Sequence, residues 1–138
     1  MGTEKTFEIE MQTRDYECDL QGIINNAVYL NYLEHTRHRF LGALDLDVAL
    51  LHSEGTDPVV RRIEIDYQRS LRGGDTFVSI LSVEWEGRIQ MLFSQKILRL
   101  PEREAITKAN TFVTFVRNRR PIRRPAHVER AVERWWNT

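Results

Sequence analysis

A chain of 138 residues, 41% apolar and 29% charged, is long enough for one real core but not two, and its mix excludes disorder, collagen and extended coiled coil. Twenty Lys and Arg balance twenty Asp and Glu, so no global field exists to hold nucleic acid or anionic lipid without specificity. The balance conceals an asymmetry of −7 over residues 1–60 against +7 over residues 61–138, and seventeen of the twenty bases are Arg, which favours planar, bidentate capture of a carboxylate or phosphate.

Phe7, Ile9 and Met11 alternate with Glu8, Glu10 and Gln12, which predicts a first strand over residues 5–14 with one buried and one wet face. A polar stretch from Asp15 to Gly22 leads through Asn25 and Asn26 into AVYLNYLEHTRHRFLGAL. This segment predicts one long helix, with asparagine as its cap and Gly42 as its stop. Its first half is apolar nearly all round, the composition of a buried helix. After a loop from His52 to Pro58, four strand patterns follow at about 59–70, 75–86, 89–100 and 105–117, the second and third joined by Glu86-Gly87-Arg88 as a hairpin. Pro125 opens a closing amphipathic helix, with Val128, Val132 and Trp135 at steps of four and three. One strand, a long helix and a four-strand meander read as an α+β fold, a five-stranded antiparallel sheet that must curl to bury such a helix. The expectation is a single domain over residues 1–138, with its core at about 5–117 and a tail and helix at 118–138.

A lone cysteine, Cys18, excludes an intrachain disulfide and a multi-cysteine zinc site and fits a reducing, cytoplasmic setting. No apolar run approaches the ~18 residues that span a bilayer, and the polar opening lacks a signal peptide's apolar segment. MGTEKT satisfies a loose myristoylation pattern, too short to outweigh chance.

Chemistry concentrates in the run from Arg14 to Glu34. Asp19 lies in the loop after the first strand, seven residues before Asn26, with Gly22 free to turn the chain back toward the helix. The leading amides of a helix lack intrahelical acceptors and carry about half a positive charge. A carbonyl oxygen on the Asn26 N–H would be polarised while a carboxylate across the cleft attacks it or deprotonates water. Taken alone, a loop Asp before a helix is more often a turn or cap residue.

The pattern Asp19-x-x-Gly22-x-x-Asn25-Asn26-x-x-Tyr29-Leu30-x-x-Leu33-Glu34-x-x-Arg37, with Tyr67-Gln68-Arg69 and Gly74-Asp75 farther on, resembles the 4-hydroxybenzoyl-CoA thioesterase-like branch of the hotdog-fold acyl-CoA thioesterases. The resemblance implies a curved sheet wrapped around the central helix and a homodimer or dimer of dimers with acyl-CoA sites between subunits. It also implies Asp19 as the catalytic carboxylate and the Asn26 backbone N–H as the oxyanion donor. Another branch uses a helical Glu. Here the helical acid is Glu34, eight residues beyond Asn26 and so ~12 Å along the axis, too far from the helix start. Glu34 and Arg37 at i,i+3 read instead as a structural ion pair.

Asn25 and Tyr29 are further substrate-binding candidates, against the plainer readings of cap and core. Arg117, Arg119, Arg120, Arg123 and Arg124 crowd eight residues. They read either as a solvated or inter-subunit patch or as capture of coenzyme A phosphates, for which Arg119 and Arg120 are named alongside the weaker Arg69 and Arg72. A nucleic-acid patch is disfavoured by the neutral total charge and the absence of interleaved aromatics. His35, His38, His52 and His127 have no metal-ligand spacing.

The expected activity is hydrolysis of an acyl-CoA thioester to free acid and coenzyme A, without metal or cofactor, and with Asp19 as nucleophile or general base. An acyl carrier protein thioesterase and a non-catalytic acyl-CoA-binding module are the alternatives. A hotdog dehydratase fits less well, since no His stands near Asp19 or in the first helical turn.

Overall fold

The structure, a computed structural model, describes residues 5–138; most of the MGTEKT opening lies outside the described residues. In chain order come β1 (Phe7–Gln12), a single 3-10 turn (Asp15–Glu17), α1 (Asn26–Ala43), α2 (Val48–Ser53), β2 (Asp57–Tyr67), β3 (Thr76–Glu86), β4 (Gln90–Arg99), β5 (Glu104–Arg117), β6 (Arg120–Ile122) and α3 (Ala126–Trp136). All ladders are antiparallel, in the order β1-β3-β4-β5-β2, with β6 pairing the end of β5. The curved sheet around α1 and the short closing helix are the hotdog architecture that the sequence pattern implied.

Alternation explains why the strands form. Phe77, Ser79, Leu81 and Val83 of β3 turn inward against Phe93 and Ile97 of β4 and Ala109 and Val113 of β5, and all eight are buried. The core has two lobes along α1: Tyr29, Tyr32 and Leu33 with Phe77, Ile97 and Ile106 near its start, and Phe40 and Leu41 with Leu81, Phe93 and Phe115 near its end. The second lobe is closed by Val128, Ala131 and Val132 of α3. A polar belt divides them, in which Ser79 donates to Thr36 Oγ1 at 2.6 Å and the Gln95 amide oxygen accepts from Arg37 and Thr111.

Four sequence expectations are corrected. β1 ends at Gln12 because Thr13 turns away to bond Asp75 O through its amide and Arg72 O through its hydroxyl. The loop expected from His52 begins inside α2, a short helix capped by the Asp47 carboxylate on Leu50 N at 2.8 Å. A sixth strand, β6, adds to the five expected because Arg117-Asn118-Arg119-Arg120 reverses the chain through two residues of positive φ. Finally, one chain's sheet covers only one side of α1, so Leu30 stays 37% exposed. Among the described residues, no helix is long and apolar enough to cross a membrane.

Candidate active site

The loop joining β1 to α1 goes out and comes straight back. Glu17 O accepts Asn25 N at 3.0 Å, Cys18 bridges Ile24, and Asp19 N donates to Ile23 O at 2.8 Å. These bonds hold Asp19 beside the residues that lead directly into α1. Gly22 makes the return with φ of 79° and donates to Asp19 O, a backbone state that a residue with a Cβ adopts only under strain. The segment at 71–75 clamps the loop from below: Ile24 N donates to Leu71 O, Ile23 bridges Arg72, and a Cβ on Gly73 would meet Asp15 Oδ1 at 2.8 Å.

Asp19 is exposed, and its Oδ1 accepts from Gln21 N at 2.8 Å and Ile23 N at 3.4 Å. The loop's own amides thus orient the carboxylate through Oδ1, and Oδ2 has no hydrogen bond among the described residues. Tyr16 and Leu20 stand in solvent on either side, Leu20 fully exposed.

The helix start differs from the expected cap. Asn25 is the residue before the first turn, but its side chain does not cap; its Nδ2 donates to Glu17 O at 3.3 Å. The amides of Asn26 and Ala27 have no acceptor among the described residues, and Tyr67 Oη donates to Asn26 O at 3.1 Å. Uncapped leading amides can polarise a carbonyl oxygen placed on them, and Asp19 lies in the loop that leads into them.

Tyr29 sits in the core, 1% exposed, its hydroxyl accepting from Leu71 N at 2.9 Å and its ring edge-on to Tyr32 and Tyr67. Burial pushes its phenol above the usual value. Arg72 lies beside the loop, exposed and without an ion pair among the described residues, whereas Arg69 is drawn to Glu104 at 3.3 Å.

Arg119 and Arg120 are not brought to this place within one chain. Arg120 pairs with Arg117 at the far end of β5, while the α1 start lies over the end where Tyr67 pairs with Thr107. Ten strand residues at ~3.3 Å each put the two ends ~33 Å apart. The expected Glu34–Arg37 ion pair is also absent: no carboxylate lies within 4 Å of the Arg37 guanidinium among the described residues, and the group turns to Gln95 at 3.1 Å. Among the same residues, no three His, Cys, Asp or Glu side chains gather as for a metal.

Sequence reasoning missed Glu17. Its carboxylate accepts from the buried Tyr32 hydroxyl at 2.6 Å and from Arg14 N at 2.8 Å, while its carbonyl holds Asn25. It ties the loop to α1 at both ends and borders a cleft of about 460 Å³ that also touches Glu10, Arg14, Tyr32 and His35. Burial, and then the neighbouring Glu17, push the Tyr32 phenol far up.

Residues 13–136 match the thioesterase-like superfamily. The chain belongs to this family. It is 34% identical over 122 residues to the chloroplastic acyl-acyl carrier protein thioesterase ATL2 of Arabidopsis thaliana, covering 88% of this chain but only 65% of that protein. The backbone superposes with a TM-score of 0.87 on a 1,4-dihydroxy-2-naphthoyl-CoA thioesterase from Synechocystis, at 17% identity over 93% of this chain and 96% of that one. It matches equally, at 0.87, a Staphylococcus aureus protein solved in complex with CoA, at 12% identity over 99% and 87% of the two chains. The structural likenesses, at such low identity, speak for the fold.

Proposed function

We propose that the chain hydrolyses an acyl-CoA thioester to a free acid and coenzyme A. The observation that supports this reading is the Asp19 carboxylate, oriented by its own loop, in the turn that leads into the uncapped amides opening α1. In this reading the thioester carbonyl lies on the Asn26 N–H, and negative charge developing on its oxygen meets the amide and the helix dipole. Asp19 either takes a proton from water, which adds to the carbonyl carbon and expels the thiolate, or attacks that carbon itself to give an anhydride that water then opens. Both routes consume one water and release one acid and one thiol. Oxygen from labelled water entering the Asp19 side chain in a single turnover marks the second. A thioester is already activated, so positioning and polarisation supply the acceleration without a metal or cofactor.

Arg72, next to the loop and without an ion pair among the described residues, is a cation for the phosphates of coenzyme A. Arg119 and Arg120 could meet that ligand only from another subunit. The unpaired outer edge of β2 supports assembly of the chain as a homodimer or a dimer of dimers. The reading includes a cytoplasmic setting, supported by the lone cysteine, and involves neither nucleic acid nor membrane.

The decisive experiment follows thiol release with a disulfide reagent over short, long and aromatic acyl-CoAs. Asp19→Asn lowers turnover by at least ~10² while the circular dichroism and the affinity for coenzyme A stay as in the parent; activity within about threefold of the parent overturns the assignment. A second reading, an acyl carrier protein as carrier, is favoured by the 34% identity to ATL2. The same acyl group offered on both carriers separates the two, because free coenzyme A competes only if the site grips the nucleotide.

A further inference from the structure

The buried guanidinium of Arg37 is the feature of this chain that its own residues leave unfinished. Arg37 is 5% exposed, and among the described residues its one side-chain hydrogen-bond partner is the neutral Gln95. A charge taken from water without a counter-ion costs several kcal/mol, and burial accordingly weakens the hold of this guanidinium on its proton, with Glu34 opposing the effect. The side chain borders a cleft of about 310 Å³ between α1 and β2 that also touches Glu34, Leu41 and Val60.

The surroundings of the cleft are of one kind. Among the described residues β2 is the last strand of the sheet, eleven residues long and unpaired on its outer edge. Val59 and Val60 remain 43% and 41% exposed there, and Leu30 is partly exposed on α1 one turn before Glu34. Unpaired edges are normally covered or blunted. This edge reads Arg61-Arg62-Ile63-Glu64-Ile65-Asp66, so an identical strand laid antiparallel sets bases against acids. The same self-complementarity holds on α1, where the exposed Glu34 precedes the buried Arg37 by three residues.

We propose that a second copy of the chain closes this cleft across a two-fold axis, and that Glu34 of each copy neutralises Arg37 of the other. A two-fold axis makes contact i–j imply contact j–i, so one acid and one base on a single helix complete two ion pairs. The surrounding apolar side chains exclude water from both. The proposal deepens the homo-oligomeric reading above and rests on it.

The test is a charge swap followed by sedimentation velocity and circular dichroism. Wild type sediments as a dimer or a multiple of one. Glu34→Arg and Arg37→Glu, each alone, raise the dimer dissociation constant at least about a hundredfold. Mixing these two chains restores the dimer, because each supplies what the other lacks, and the double swap in one chain restores it as well. If the double swap recovers while the mixture stays monomeric, the pair lies within one chain and the proposal falls. If both single variants dimerise as tightly as wild type, the pairing falls while the homo-oligomer stands. A wild type monomeric at working concentration overturns both.

Should Arg37→Glu not fold, Glu34→Cys and Arg37→Cys chains, both carrying Cys18→Ser to remove the native thiol, serve in its place. A short bis-maleimide joins them covalently in the mixture but joins neither chain to itself, and failure to link the mixture overturns the pairing.

Discussion

Glu17 shows how one residue can hold a loop to the helix that follows it. Its carboxylate receives the Tyr32 hydroxyl and the Arg14 amide, and its carbonyl receives both nitrogens of Asn25. Tyr32→Phe removes a bond from a hydroxyl to a charged acceptor, which costs about 1.5 to 3 kcal/mol when the acceptor is left short of a partner. Urea unfolding of the variant should show a loss of that order. The phenols of Tyr29 and Tyr32 are both held above the unfolded value of ~10, so the folded state favours their protonated forms. Their contribution is complete below pH ~10 and is lost as the pH rises from there toward the raised folded values. The urea midpoint of wild type should fall above pH ~10, and Tyr32→Phe should make that fall shallower; an unchanged slope would mean that Tyr32 ionises freely in the folded protein.

Among the elements, α3 contributes more than its place in the tail suggests. Trp135 packs edge-on to Phe40 with centroids 5.0 Å apart, and Trp136 Nε1 donates to Val83 O at 3.0 Å, so the helix closes the lobe of core at the far end of α1. Trp135→Ala should cost about 3 kcal/mol, the low end for a large aromatic in a core because this one is only partly buried, and a thermal melt checks it. The period of this helix was plain in the sequence, as were the alternating strands, since Ile63, Ile65 and Tyr67 or Phe77, Leu81 and Val83 each report which face is wet. Six residues of α2 are too few for a period to show, and its sign in the sequence is the Asp47 cap. The Asp19 loop was legible because its residues lie close together along the chain. Glu17 was not, because Tyr32 stands fifteen residues away and no local pattern joins them. The exposed side of α1 is illegible for a related reason: an all-round apolar composition does not report which face the chain's own sheet leaves uncovered.

On the scale of the whole molecule, the charges cancel, so the polyanionic substrate proposed above would have to be held by local cations rather than by a general field. The local cations are unequal. Arg69 and Arg99 both turn to Glu104, Arg117 bonds Thr56, and Arg124 pairs with Glu129 over the Trp85 ring, which among the described residues leaves Arg72 beside the loop, and Arg14 within the loop itself, without an ion pair. Screening shortens to ~3 Å at 1 M salt from ~10 Å at 0.1 M, so an exposed arginine that meets a phosphate loses much of its pull within that range. The KM for an acyl-CoA should therefore rise with salt, whereas the KM for the same acyl group on pantetheine, which lacks the phosphates, should stay level. Arg72→Ala should raise the first KM about tenfold, the equivalent of one charged hydrogen bond, flatten its salt dependence and leave kcat within about twofold. An equal effect of Arg72→Ala on both substrates would place Arg72 at the acyl group or in the support of the loop instead of at the nucleotide.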